Sequence, residues 1–163
     1  MTDSAEPMRV GLPPIVGPHP RVLVLGSFPS EQSLATGRYY ANPRNQFWRL
    51  LGAVLGFDAD APYDARIAAA AEHGVALWDV LHSCRRAGSL DARIDRKTAV
   101  VNDIGALLTD HPGIDRIIVN GSAALELFER HVRVDVPAVR VPSSSPAATM
   151  AFDAKLSQWR ALA

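Results

Sequence analysis

Four short apolar runs along the chain each stop at a small or polar cluster. Val22-Leu23-Val24-Leu25 runs into Gly26-Ser27-Phe28-Pro29-Ser30, and Val75-Ala76-Leu77-Trp78 into Asp79. Ile117-Ile118-Val119 runs into Asn120-Gly121-Ser122, and Val139-Arg140-Val141 into Pro142-Ser143-Ser144-Ser145. Such runs, bounded by turn residues, predict buried strands over Arg21–Leu25, up to Asp79, over Arg116–Asn120 and over Ala138–Val141. Between them the period changes to that of helices. Phe47, Leu50, Leu51, Val54 and Leu55 fall at i, i+3, i+4, i+7 and i+8, one buried stripe, with Asn45 placed as an N-cap. Further helices are predicted over Tyr63–His73, Asn102–Thr109 and Ser122–His131, and a last one burying Phe152, Leu156 and Trp159. Residues 1–20, rich in Pro and Gly, read as an extended lead-in; Ser27–Arg44 and the polar, basic Ser83–Lys97 read as loops. Strands alternating with helices predict one α/β/α sandwich over residues 21–163, built on an open, mostly parallel sheet. Ligands of such sheets bind outside the carboxyl ends of the strands, so the four clusters should converge on one site.

Bulk properties narrow the class. A chain of 163 residues suits one domain with a substantial core. Nothing in it is long and apolar enough to span a bilayer, and no basic-then-apolar leader is visible. Cys84 is the only cysteine, which excludes an internal disulfide and a cysteine-ligated cluster, and a reducing cytoplasm is the expected location. With 17 basic and 17 acidic residues, the net charge gives no global argument for nucleic acid. The basic residues are nonetheless grouped, Arg38, Arg44 and Arg49 in one stretch and Arg85, Arg86, Arg93, Arg96 and Lys97 in another. Groups of this size can hold a few phosphates, although a solvated surface explains them as simply.

The candidate chemistry is not that of the familiar phosphate loops. Gly26–Ser30 lacks both the Gly-Lys-Ser/Thr of a Walker loop and the G-x-G-x-x-G of a dinucleotide site, and by itself reads as a tight turn. His19, His73, His82, His111 and His131 form no metal pattern, and the H-x-E with P-C-x-x-C of zinc deaminases is missing, so neither metal nor cofactor is expected. The most distinctive segment is Tyr39-Tyr40-Ala41-Asn42-Pro43-Arg44-Asn45-Gln46-Phe47-Trp48. Rings and side-chain amides together suit a planar, hydrogen-bonding ligand such as a nucleobase. Phe47 and Trp48 read as core, whereas Tyr40 lies outside any periodic stripe. Asp79 and Asn120 end strands, where each can either cap a helix or meet a ligand. Ser143, Ser144 and Ser145 before the last helix suit either a turn or a phosphate.

These segments, together with Leu77-Trp78-Asp79-Val80 and Gly88-Ser89-Leu90-Asp91, resemble the hypoxanthine (deoxyinosine) DNA glycosylases, a branch of the uracil-DNA glycosylase superfamily. The resemblance runs from about Arg21 to the C-terminus. It implies a three-layer fold on a four-stranded parallel sheet and hydrolysis of the N-glycosidic bond of a deaminated base in DNA. By the resemblance, the Gly26–Ser30 turn corresponds to the water-activating motif, with Gly26, Ser27 and Phe28 beside the base, Tyr40 stacks on the flipped base and Asp79 reads its edge, with Asn120 in the same base-binding set. Pro142–Pro146 borders the minor groove and leads into a wedge. That assigns Ser143, Ser144, Ser145, Pro146, Ala147 and Met150 to DNA contact, with Arg44, Arg85 and Arg86 on phosphates. Phe28 stands where uracil enzymes carry Asp and the mismatch branch Asn, and Ser143 lies near the place of a missing histidine. In the hypoxanthine branch the asparagine of N-x-F-W takes over catalysis, here Asn45, with Asn42 the neighbouring alternative. The motifs hold no lysine for a Schiff base, which favours a monofunctional enzyme. The expected partner is DNA containing deaminated bases, met by a monomer away from any membrane. Three alternatives stay open: a uracil- or mismatch-specific glycosylase on the same fold, a catalytically silent nucleic-acid-binding module, and an esterase-like hydrolase using Ser27.

Overall fold

The computed structural model describes residues 6–163. A short strand, β1 (Met8–Val10), precedes the first core strand, β2 (Val22–Gly26). Three helices follow, α1 (Glu31–Thr36), α2 (Phe47–Leu55) and α3 (Tyr63–Glu72). The chain returns through β3 (Val75–Asp79), then forms a hairpin of β4 (Leu81–Arg86) and β5 (Ile94–Val101), with a 3₁₀ turn at Asp91–Arg93 between them. The remainder alternates: α4 (Ile104–Asp110), β6 (Arg116–Asn120), α5 (Ser122–His131), β7 (Ala138–Val141) and α6 (Phe152–Trp159).

The main sheet is four-stranded in the order β3-β2-β6-β7, and all its pairings are parallel. Alternation along β2 sends its residues to two cores. Leu23 and Leu25 pack with Ile104 and Leu107 of α4 and with Ala124, Leu127 and Phe128 of α5. Val22 and Val24 pack on the other face with Phe47, Leu50 and Leu51 of α2, Ala70 of α3 and Trp159 of α6. A sheet covered on both faces needs apolar residues at every position, which is why the strands read as continuous apolar runs. The expected α/β/α sandwich on a four-stranded parallel sheet is therefore the fold observed. In the sheet, β2 has β3 on one side and β6 on the other, so the chain reverses its direction of growth beside β2. That reversal opens a crevice at the carboxyl ends, where Gly26, Asp79, Asn120 and Val141 lie.

Three expectations for connecting segments need correction. Ser83–Lys97 is not a loop: most of it lies in β4 and β5, which pair antiparallel with each other, and β4 pairs antiparallel with β1 on its other side to complete a second, three-stranded sheet. Its strand signal is hidden because Ser83, Cys84 and Arg86 supply much of the buried face of β4. The lead-in is also part of the fold, although its first five residues lie outside those described. Met8–Val10 pairs with Ser83–Arg85, and Ile15 bridges to Leu77. Finally, Ser27–Arg44 contains α1, whose six residues are too few to show a stripe; the Ser30 hydroxyl caps it by accepting the Ser33 N–H.

Candidate active site

The four strand ends and the loops after them enclose a cavity of about 310 Å³. Gly26, Ser27 and Phe28 form one wall, Tyr40, Asn42, Arg44 and Asn45 a second, and Ser143 to Ala147 a third, with Asp79 and Asn120 between. The Ser89–Asp91 end of the hairpin closes the fourth side. Met150, Arg85 and Arg86 do not line it.

Asp79 is buried beside the end of β2. A Cβ on Gly26 would lie 2.5 Å from Asp79 Oδ1 and 3.1 Å from Tyr40 Oη. The glycine is thus required by the close approach of these groups. Gly26 itself does not make the expected turn: it is an in-register strand residue without a left-handed backbone, and the chain bends only after it, at Ser27 and Phe28. Asp79 Oδ2 is buried with no partner among the described residues. Burial, reinforced by the charge of Asp91 and opposed by Arg86, pushes its carboxyl up to about 7. An unpartnered buried carboxylate oxygen costs stability, and its place in a cavity makes Asp79 a candidate ligand-binding group.

Tyr40 has φ 53°, the left-handed region that bulky residues avoid. The strain turns its ring to stack on Phe47, centroids 3.8 Å apart and planes 16° from parallel, while the ring also lines the cavity. Burial and Asp79 push the Tyr40 phenol well above its ordinary pKa, so it stays neutral. Asn120 Nδ2 donates to Tyr40 Oη at 3.3 Å and to Ser144 Oγ at 2.9 Å, and Asn120 Oδ1 accepts the Ser144 N–H at 3.0 Å. Asn120 thereby braces Tyr40 and the serine loop. Gly121, at φ 94°, permits that loop to pass close, since a Cβ there would meet Ser143 Cβ at 2.8 Å.

The two asparagines of the aromatic segment are partly committed. Asn45 Oδ1 accepts the Phe47 N–H at 2.9 Å from a position one residue before the N-cap, Gln46. Asn42 Oδ1 accepts the Arg44 N–H at 3.0 Å. Each side chain thus shapes its own turn, and each keeps an amide NH₂ for the cavity that both line.

The serine loop differs from expectation in one respect. Ser143–Ser145 do not sit at a helix N-terminus, because α6 begins only at Phe152. Ser144 is buried on Asn120, and Ser143 Oγ and Ser145 Oγ accept the N–H groups of Ser145 and Ala147. The hydroxyls hold the loop's shape, so a helix dipole is not what would draw a phosphate here. Trp159 Nε1 anchors its start by donating to the Pro142 carbonyl at 2.8 Å. Pro146 and Ala147 are exposed beside the cavity, and Met150 is 44% exposed, which excludes it as the first core residue of α6.

Of the expected phosphate ligands, Arg44 is exposed on the rim and Arg85 is half-buried on β4. Arg86 is corrected. It is 3% exposed and donates inward to the Pro29 and Gly88 carbonyls at 2.6 and 2.8 Å, with its guanidinium 5.1 Å from the Phe28 ring. It ties the hairpin to the Gly26–Ser30 wall and is closed to DNA. A residue the motifs did not mark is Lys155, 1% exposed on α6, whose ammonium donates to Gln46 Oε1 at 2.9 Å and the Ala148 carbonyl at 3.1 Å. Burial lowers its pKa. Its spacing from Phe152 and Trp159 places it on the buried stripe, a sequence signal that a lysine obscures.

Residues 13–163 match the Uracil DNA glycosylase superfamily. A Methanosarcina acetivorans protein named hypoxanthine DNA glycosylase is 32% identical over 157 residues, covering 95% of this chain and 98% of its own. A Methanosarcina barkeri protein of the same name is 33% identical over 119 residues, 72% of this chain and 74% of its own. The solution NMR structure of a candidate uracil DNA glycosylase from Methanosarcina acetivorans superposes with a TM-score of 0.83 at 32% identity, over 96% of each chain.

Proposed function

From a chain that belongs to the uracil DNA glycosylase superfamily, we propose a monofunctional DNA glycosylase that releases a deaminated base, hypoxanthine above all, from DNA. The observation that carries the reading is the pairing of the Tyr40 ring with the unpartnered Asp79 carboxylate in one cavity at the carboxyl ends of the sheet. A base inside a duplex cannot reach such a cavity, so it must be flipped out. The extruded 6-oxopurine stacks on Tyr40, and ionised Asp79 accepts its imide N–H. Gly26, Ser27 and Phe28 border the same base, and Asn120 acts on it by bracing the ring. Arg44 and Arg85 meet phosphates, and the exposed Ala147–Met150 segment enters the space the nucleotide leaves. The hypoxanthine preference is supported by the names of the two relatives.

Cleavage of the C1′–N bond builds positive charge on the sugar and negative charge on the base. Positioning a water and stabilising those charges supply most of the acceleration. Asn45, or Asn42 beside it, orients the water. Lyase chemistry finds no support, since the Lys155 ammonium is buried and engaged by Gln46 and Ala148. The test is a single-turnover panel on inosine, uracil and xanthine, each opposite every base and in single strands. Inosine should be cleaved fastest, and Asn45→Ala should lower that rate about 100-fold with DNA binding retained. Near-wild-type cleavage by Asn45→Ala moves the role to Asn42, and DNA binding without cleavage of any lesion identifies a silent binding module.

A further inference from the structure

Phe28 leaves the Gly26–Ser30 wall of the cavity without a carboxylate or amide side chain, and neither Asn42 nor Asn45 can take a proton, because a neutral amide has no useful basicity. The lining of the cavity contains two carboxylates, Asp79 and Asp91. Asp79 lies buried against Gly26 and Tyr40, where the flipped base would be read. Asp91 opens the 3₁₀ turn after β4 and lines the same cavity as Asn42 and Asn45, as an exposed residue.

The placement of Asp91 is over-determined. Ser27 Oγ donates to its Oδ1 at 2.5 Å, which joins the hairpin to the very motif that lacks its carboxylate. Two residues earlier, Ser89 Oγ accepts the Glu31 N–H at 2.9 Å. Arg86 holds the Gly88 carbonyl at 2.8 Å and the Pro29 carbonyl at 2.6 Å. Three long-range ties thus fix a carboxylate in the cavity lining, with Oδ2 left for a ligand.

Resting on the glycosylase reading above, we propose that Asp91 is the catalytic proton acceptor, contributed by the hairpin in place of the carboxylate missing at position 28. Water, oriented by Asn45, forms the new bond from its oxygen to C1′. The C1′–N9 bond breaks, and its electron pair leaves on the departing hypoxanthine. The water's proton passes to Asp91 Oδ2, and the released base regains a proton from solvent. The ionised Asp91 also faces the sugar as its positive charge develops. Burial by the cavity walls raises the basicity of Asp91, with the Ser27 hydrogen bond and Arg86 pulling the other way.

The test uses the full chain on an inosine duplex under single-turnover conditions. Asp91→Asn keeps an acceptor for Ser27 and so keeps the loop, yet it removes the base. Its rate should fall about 100-fold or more with duplex affinity unchanged. Asp91→Ala should lose at least as much, and added formate should restore part of its rate while leaving Asn45→Ala unaffected. An active wild type whose Asp91→Asn variant cleaves within about threefold of it overturns the proposal and leaves the glycosylase reading standing. A wild type inactive on inosine, uracil and xanthine alike overturns both.

Discussion

In the proposed site, the buried Asp79 carboxylate would trade stability for recognition of the base. Asp79 is raised in the folded chain to about 7 from an unfolded value of 3.8. The folded state therefore binds its proton more tightly than the unfolded state does. The stability this contributes is complete below pH 4 or so and is lost as pH climbs towards about 7, where the folded group ionises. Asp79→Asn does not titrate, so its stability relative to wild type should rise across that window, by an amount on the order of a few kcal/mol. Urea melts at pH 5 and pH 8 measure the difference; an equal offset at both would show that Asp79 does not titrate in this range. The same variant should shift the ratio of rates on inosine and uracil, because an amide presents a donor as well as an acceptor to the base edge.

At the level of elements, the segment from Pro142 to Met150 is held from within and exposed at its tip. Trp159, Asn120 and Lys155 fasten it to α6, to β6 and to the turn before α2. Rigid backing with an exposed apolar end is what a wedge requires, since an inserted side chain must resist the stack it opens. Met150→Ala should slow cleavage of a well-paired inosine more than of a mismatched one, because unpairing costs least in a mismatch. Single-turnover rates on the two duplexes decide it. Equal slowing of both would remove Met150 from the wedge, and the residue's exposure means that its melting temperature should barely move.

Across the whole molecule, the N-terminal segment reaches the site through two layers of contacts. Met8–Val10 forms the edge of the small sheet whose hairpin carries Ser89 and Asp91. The Pro13 carbonyl accepts the Tyr39 hydroxyl at 2.8 Å, next to Tyr40. Deleting residues 1–11 removes β1 while leaving the Pro13 contact, and should cost on the order of 2 kcal/mol, a fall in melting temperature of roughly 4–8 °C, and slow cleavage as the hairpin loosens. Calorimetry together with the inosine assay checks both effects. A deletion variant that melts and cleaves as the full chain does would return the segment to a passive lead-in.

The sequence by itself determined the four core strands, most of the helices and the convergence of Gly26, Asp79, Asn120 and Ser143. These follow from local period and from the rule that parallel strands present their carboxyl ends together. It also carried Tyr40 as a ring outside any stripe, although the left-handed backbone that aims the ring depends on its setting. Tertiary structure decided whatever polar residues do in the interior. Arg86 and Lys155 read as surface charge or pass unnoticed, because no local pattern shows that Gly88, Pro29, Gln46 and Ala148 will supply their acceptors. The small sheet was hidden for the same reason: Ser83 and Arg86 are buried where a periodic reading looks for apolar side chains. The meeting of Ser27 with Asp91, 64 residues apart, lies beyond any local pattern, since only the folded hairpin brings the two within hydrogen-bond reach.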